Sequence, residues 1–364
     1  RAELHNNLGA ILQKQERIEE AITCYDMAIE LEPEYAEAHL NRSFALLLIG
    51  NYKDGWIENK WRLQAKAHRL RKFNKPQWDG SPLNGKTILI HAEQGFGDTI
   101  QFIRYLPMVQ AQGGNVVFEC HKSLIRLLRN YEGIDKLIER VPKPDIEFDT
   151  QLPILSLPGI FDTTADSIPS DTPYITSDQG LSQLFSLRFG TDYNFKIGIA
   201  WAGNSDNKKN HIRSCALADF NPLLDIQGIS FYSIQKGPAS VEADSTLREM
   251  KIINLSNQIK DFADTAAVVS NLDLIISVDT AVVHLAGALG KPVWNLIHFA
   301  PDWRWLLNRD DSPWYPEMRL FRQTKSNDWT TVFKRVKEAL LQIVNDSRTV
   351  TTEFNEITLQ HSIS

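Results

Sequence analysis

The chain is short of the features that would place it in a membrane, on a nucleic acid or in an oxidising compartment. It has three cysteines in 364 residues, Cys24, Cys120 and Cys215, far apart and with no CxxC pair. That scarcity argues against a disulfide framework and a zinc site, and fits reduced thiols in a cytoplasmic protein. No apolar run approaches the roughly 20 residues that a helical membrane span needs. Positive charge is not in excess: the net charge of −6 is opposite to the concentrated basic surface of a nucleic-acid or anionic-membrane binder. A start methionine and a signal peptide are both missing, and the opening Arg1-Ala2-Glu3 leads us to expect a piece of something longer. No His/Asp cluster has metal-ligand spacing, so neither a metal nor another cofactor is expected. What is present is a 43% hydrophobic chain, long enough for two or three domains with ordinary cores.

Repetition dominates the amino-terminal part. Residues 2–35 fit one tetratricopeptide unit: Leu8-Gly9 for the close helix contact, Ala21 at the crossing, Tyr25 and Ala28 in the second helix, Pro33 at the turn. A second unit begins at Ala36 and degrades, with Arg42 and Ser43 where the first has Leu8 and Gly9. About three repeats are normally needed for independent stability, so either more repeats come before Arg1 or this pair packs on the next domain. The repeats, over 1–62, serve either as a structural cap or oligomer contact, or as a surface for an acceptor or protein partner. Two repeats do not separate these readings. Residues 63–85 lose the period. Their basic run (Lys66, His68, Arg69, Arg71, Lys72, Lys75) and the turn at Trp78-Asp79-Gly80-Ser81-Pro82 suit a linker lying along the next domain.

From Lys86 onward strands and helices alternate, the pattern of parallel sheets with right-handed crossovers. The expected strands are 87–92, 115–120, a short run at 137–138 and 147–151, and then 195–201, 229–234, 272–277 and 292–296. Helices are expected near 98–112, 121–130, 216–226, 260–270 and 280–290. Pro and Thr between 153 and 176 mark a boundary, dividing 86–176 from 177–326.

Two strings stand where a strand hands over to a helix, the place where open α/β sheets hold ligands. Gly95-Phe96-Gly97-Asp98 follows the first strand, and Ser277-Val278-Asp279-Thr280 follows a later one. The two glycines permit close backbone approach. Asp98 beside them either caps the following helix or acts as a base. The helix after Asp279 and Thr280 offers free N–H groups to an anion, with His284 one turn in. Gly203, Asn204, Lys208 and Arg213 follow another strand at the same sheet edge and supply donors and cations. One carboxylate opposite one anion site is what a single-displacement glycosyl transfer requires.

With these motifs placed, residues 86–325 resemble the ADP-heptose:lipopolysaccharide heptosyltransferase family, glycosyltransferase family nine. The resemblance rests on Asp279-Thr280-Ala281-Val282-Val283-His284-Leu285-Ala286-Gly287-Ala288-Leu289-Gly290-Lys291-Pro292 and on Gly97-Asp98. Repeats fused to such a unit are also similar to bacterial tetratricopeptide glycosyltransferase-like proteins. The resemblance implies a GT-B architecture: two Rossmann-like α/β domains, here preceded by an α-helical repeat segment. It implies metal-independent, inverting transfer of a heptose or hexose-type sugar from a nucleotide-sugar donor to a glycan or protein acceptor. By the same resemblance Asp98 is the catalytic base. Gly95, Gly97, Gly203, Asn204, Lys208, Arg213, Asp279, Thr280 and His284 contribute to nucleotide-sugar binding, with Lys208 or Arg213 meeting the diphosphate.

Ala281 stands where the family usually has glycine, and with the degraded repeat it keeps a second expectation open, a non-catalytic interaction scaffold on a nucleotide-sugar-binding fold. Beyond the motifs, the aromatic stretch Pro301-Asp302-Trp303-Arg304-Trp305 and Trp314-Tyr315-Pro316 is expected to join the catalytic architecture. A helix over 327–346, apolar at Val332, Phe333, Val336, Ala339, Leu340 and Ile343, either crosses back to the first domain or packs on its own. Residues 347–364 are expected to be a loose tail.

Overall fold

The computed structural model describes residues 1–65, 71, 73–142, 144–204 and 210–361, with side chains as far as residue 345. The repeat segment consists of helices Ala2–Lys14, Ile18–Leu31, Ala36–Leu48 and Tyr52–Asn59, closed by a 3-10 turn at Lys60–Leu63. Gly9 is there for contact: a Cβ at this position would lie 2.6 Å from the Tyr25 ring. In the second repeat, the serine replacing that glycine is fully buried and accepts a 2.9 Å hydrogen bond from Asn59. Arg42, in the place of a leucine, pairs with Asp26 at 2.6 Å. The degraded repeat has thus exchanged apolar contacts for polar ones.

The pair packs on the α/β part of the chain. Leu12, Tyr25, Leu47, Tyr52 and Trp56 belong to one continuous apolar cluster with Ile88, Phe102, Leu157, Trp303 and Leu320. The Trp56 indole N–H donates to the Thr163 carbonyl at 2.8 Å, and its ring meets Trp303 edge-on at 5.3 Å. Pro76 and Trp78 lie along the next domain, where Trp78 N–H donates to the Gln151 carbonyl and Gln151 N–H to the Pro76 carbonyl; Lys66, His68, Arg69 and Lys72 of the basic run lie outside the described residues.

Four parallel strands, β1 Thr87–His91, β2 Asn115–Cys120, β3 Lys136–Glu139 and β4 Thr150–Pro153, form one sheet in the order β3-β2-β1-β4. Six more, β5 Phe195–Ala200, β6 Ile229–Ser233, β7 Ile253–Asn254, β8 Leu274–Val278, β9 Val293–Ile297 and β10 Met318–Arg322, form a second in the order β10-β9-β8-β5-β6-β7. The central strands β8 and β9 are buried at every position, as strands covered on both faces must be. The strand order reverses at β1 in the first sheet and between β5 and β8 in the second. In a parallel sheet, that reversal leaves a crevice outside the carboxyl ends of the strands.

Several expectations are corrected. The helix expected over 98–112 is broken into Phe96–Phe102, a 3-10 turn Ile103–Tyr105 and Leu106–Gln110. Pro107 sits in the first turn of the last piece, where its missing N–H costs nothing. Strands β7 and β10 are additional to those expected. The carboxyl-terminal helix runs Trp329–His361, so most of the stretch read as a loose tail is helical. Its described apolar side chains pack on its own domain, one of the two alternatives the sequence left open. Val332, Phe333, Val336 and Leu340 are buried with Phe220, Ile199 and Ile276 of the second sheet's own layer, and the Phe333 ring meets Phe220 at 4.7 Å.

Candidate active site

The turn after β1 is built around Asp98. Gly95 is the N-cap of helix Phe96–Phe102, and Asp98 stands three residues in, its Oδ2 accepting from the Gly95 N–H at 2.8 Å. Asp98 therefore reaches back to the cap instead of being the cap. Its other oxygen, Oδ1, accepts from Arg304 Nη2 at 2.5 Å. Arg304 belongs to the second domain and is buried, with its Nε donating to Gln101 Oε1 at 2.6 Å and its Nη1 to Asp302 Oδ1 at 2.8 Å. Burial raises the Asp98 carboxyl above its ordinary value, against the opposing pull of Arg304 and the Gly95 N–H. For Arg304, burial works against the charge, but Asp302, Asp98 and Asp279 hold the guanidinium firmly protonated.

On the facing wall, helix Ala281–Ala288 starts at the end of β8. Thr280 is its N-cap, with Oγ1 accepting from Val282 N–H at 3.3 Å. Asp279, one residue before the cap, lies outside the helix. Burial and the neighbouring Asp302 raise its carboxyl to about 6, against the Trp305 indole, Arg213 and Arg304. That indole N–H is near enough to favour the Asp279 anion, yet it is buried and completes no hydrogen bond.

His284 is the floor of the contact between the two walls. Its Nδ1 lies 2.9 Å from the Tyr315 hydroxyl and its ring stacks on Trp305 at 5.4 Å. Burial, with the nearby Arg304, lowers it to about 3, so it is neutral and cannot neutralise a phosphate. Gly97 presses on it from the first domain: a Cβ there would stand 2.7 Å from His284 Cδ2 and 3.5 Å from the Ala281 Cα. The glycine-rich turn and the Asp-Thr helix, about 180 residues apart in sequence, are thus in direct contact.

Across the reversal point from Asp279, Gly203 lies beneath Arg213, whose guanidinium would be 2.6 Å from a Cβ at that glycine. Arg213 contributes its charge to both Asp279 and His284, and its Nε is buried without a partner. Asn204 is exposed at the end of the described loop, and Lys208 lies outside the described residues. The motif after β6 is structural. Gln235 Oε1 accepts from the Trp201 and Ala202 N–H groups, and Lys236 Nζ donates to the Ser256 and Ile259 carbonyls.

Sequence reasoning placed the 301–305 stretch near the site but did not single out Arg304, Asp302 or Gln101. The available signal was an arginine and an aspartate set among tryptophans, a composition that water-exposed loops do not favour. Arg104 was also missed. It is buried and ties the domains together, donating to the Trp314 carbonyl at 2.8 Å, the Pro169 carbonyl at 3.0 Å and the Tyr174 hydroxyl at 2.8 Å. Among the described residues, no group of three or more His, Cys, Asp or Glu could hold a metal ion, and no helix is long and apolar enough to cross a membrane.

Parts of the chain, and its fold, are similar to known proteins. Residues 2–35 match the tetratricopeptide repeat family, and residues 232–299 match glycosyltransferase family 9 (heptosyltransferase). Protein FlbA of Caulobacter vibrioides is 25% identical over 407 residues, spanning 93% of this chain and 67% of that protein. The family 9 glycosyl transferase of Veillonella parvula superposes with a TM-score of 0.53 at 12% identity, over 68% of this chain and 88% of that one. ADP-heptose lps heptosyltransferase II of E. coli gives 0.55 at 12% identity, over 72% and 99%. These two structures establish the GT-B fold. The chain thus carries a glycosyltransferase family 9 (heptosyltransferase) match over residues 232–299 and a tetratricopeptide repeat at its amino end.

Proposed function

We propose that this glycosyltransferase moves a heptose or another hexose-type sugar from a nucleotide-sugar donor to a glycan or protein acceptor, by metal-independent transfer with inversion. The observation that carries the reading is the meeting of Asp98, from one domain, with Arg304 and the Asp279-Thr280 helix of the other. In the reaction, the Asp98 carboxylate takes the proton of the acceptor hydroxyl as its oxygen attacks the anomeric carbon. The bond from that carbon to the diphosphate oxygen breaks, and the electron pair leaves with the nucleoside diphosphate. A carboxylate offers about four lone-pair positions, and Arg304 and the Gly95 N–H occupy two of them, leaving room for the acceptor proton. Arg213, with Lys208, is assigned to the departing diphosphate, together with Thr280 and the amino end of its helix. Gly95, Gly97 and Gly203 keep side chains out of the approach, and Asn204 and Asp279 border the donor. His284, being neutral, holds the floor of the donor site.

A panel of ADP-, GDP-, UDP- and dTDP-sugars, assayed for binding and for sugar release or transfer, tests this reading. One donor is expected to bind and to be turned over. A second reading, a non-catalytic scaffold, draws on the same ion pair, since Arg304 and Gly95 already engage both oxygens of Asp98. Donor binding without any turnover would favour it.

A further inference from the structure

The repeat segment touches both arms of the Asp98–Arg304 pair. On one side is Glu93, five residues before Asp98 in the turn after β1. Its carboxylate receives Arg62, the last buried residue of the repeat segment, in a two-point contact: Nε to Oε2 at 3.0 Å and Nη2 to Oε1 at 2.9 Å. Both side chains are essentially sealed from solvent, at 2% and 1% exposure. Every remaining donor and acceptor has a partner nearby. Arg62 also donates to Ser156 Oγ at 2.7 Å and to the Asn59 carbonyl and Oδ1, while Glu93 Oε1 also accepts from Leu155 N–H at 3.0 Å. On the other side, Trp56 packs edge-on against Trp303, the neighbour of Arg304.

A buried ion pair is a poor way to gain stability, because desolvating two charges offsets their attraction and an apolar pair of similar volume serves as well. What a two-point guanidinium–carboxylate contact supplies is a single geometry. We propose that Arg62 is a positioning residue for the transfer reaction: through Glu93 it fixes the turn that carries Asp98, while Trp56 holds the turn that carries Arg304. The repeats then form part of the catalytic unit. This rests on the reading that Asp98 is the base. The pair also acts through charge, since Glu93 is one of the negative neighbours that keep the Asp98 carboxyl high.

The test is the pH dependence of kcat/KM for transfer, measured with kcat and donor Kd, in Arg62→Lys and Glu93→Gln. Arg62→Lys keeps the charge and loses the fork. Its kcat should fall roughly tenfold to a hundredfold, as small misplacements of a reacting group do, with donor Kd within about twofold and the acid limb unmoved. Glu93→Gln keeps, through its one oxygen, the contacts to Arg62 Nη2 and Leu155 N–H, loses the one to Arg62 Nε and removes the negative charge, so the acid limb should shift to lower pH as kcat falls. A merely structural pair would change thermal stability and move neither kcat nor the limb. If both folded variants keep the parental kcat and profile, the positioning role is wrong, and should Glu93→Gln fail to fold, Arg62→Lys alone decides. Asp98→Asn, assayed alongside, separates the failures. An active Asp98→Asn overturns the base assignment itself, whereas an inactive one beside parental Arg62→Lys and Glu93→Gln overturns only the role of Arg62.

Discussion

Arg304 organises the residues of the site. It neutralises Asp98, is braced by Gln101 and Asp302, and opposes the burial that raises Asp279. Asp279 should therefore titrate where function can be observed. Its folded value, about 6, lies above the ordinary 3.8, so its contribution to stability is full below pH 3.8 and is lost as pH rises through 6. Asp279→Asn should match the parent in thermal unfolding near pH 4 and exceed it at pH 8, by on the order of 1–3 kcal/mol. Because the ionised carboxylate borders the proposed diphosphate site, donor affinity should also rise as pH falls through about 6. Isothermal titration of an intact nucleotide sugar, whose diphosphate does not ionise in that range, reads this effect. Its disappearance in Asp279→Asn would assign it to this residue and not to His284, which is neutral throughout. Arg213→Ala should weaken nucleotide binding roughly tenfold or more, the usual effect of losing a charge-assisted contact. Unchanged affinity would remove Arg213 from the donor site.

Among the elements, helices Phe96–Phe102 and Ala281–Ala288 matter most, since their contact is the junction of the domains. Gly97→Ala should be costly there. The added Cβ meets the His284 ring, which is itself held by Tyr315 and Trp305 and has little room to yield. We expect both domains to fold, transfer to fall at least about tenfold, and the interdomain distance, read by paired fluorophores, to increase; parental activity would show that the contact can open freely. The described apolar side chains of the carboxyl-terminal helix pack on the second domain. Phe333→Ala should cost about 3–5 kcal/mol of stability, as emptying a packed aromatic site does. Much of this was legible in sequence. Apolar runs gave β1, β2, β5, β6, β8 and β9, because strands buried on both faces read as near-continuous hydrophobic runs. The alternating run Met318–Arg322 was readable as a strand only once β9 was there to pair with it. Glycine and acid at a strand end identified Asp98 and Asp279, but Arg304 is placed by long-range packing, more than 200 residues from Asp98. The N-caps are Thr280, one residue after Asp279, and Gly95, three before Asp98. Local propensity does not choose between neighbouring Asp, Thr and Gly when tertiary contacts claim one of them.

At the scale of the molecule, the repeats and the two α/β layers share one apolar cluster running from Leu12 to Leu320. The segment containing the repeats should therefore unfold with the rest. Hydrogen exchange should show comparable protection in Ala36–Leu48 and in β1, and a lone fragment of residues 1–65 should not fold cooperatively. The same continuity brings the Asp98 turn, the Asp279 helix and the Arg62 contact to one place. It is also what makes the base assignment testable by a substitution that spares the architecture. Asp98→Asn keeps the size of the side chain and a carbonyl oxygen for the Gly95 N–H, and removes the proton acceptor together with the charge paired to Arg304. The measurement is single-turnover transfer from the nucleotide sugar by this variant, with donor Kd and thermal unfolding followed in parallel. We expect turnover reduced at least about a hundredfold, with Kd near that of the parent and unfolding somewhat earlier for the lost pair with Arg304; a folded Asp98→Asn protein that transfers sugar at the parental rate would contradict the assignment.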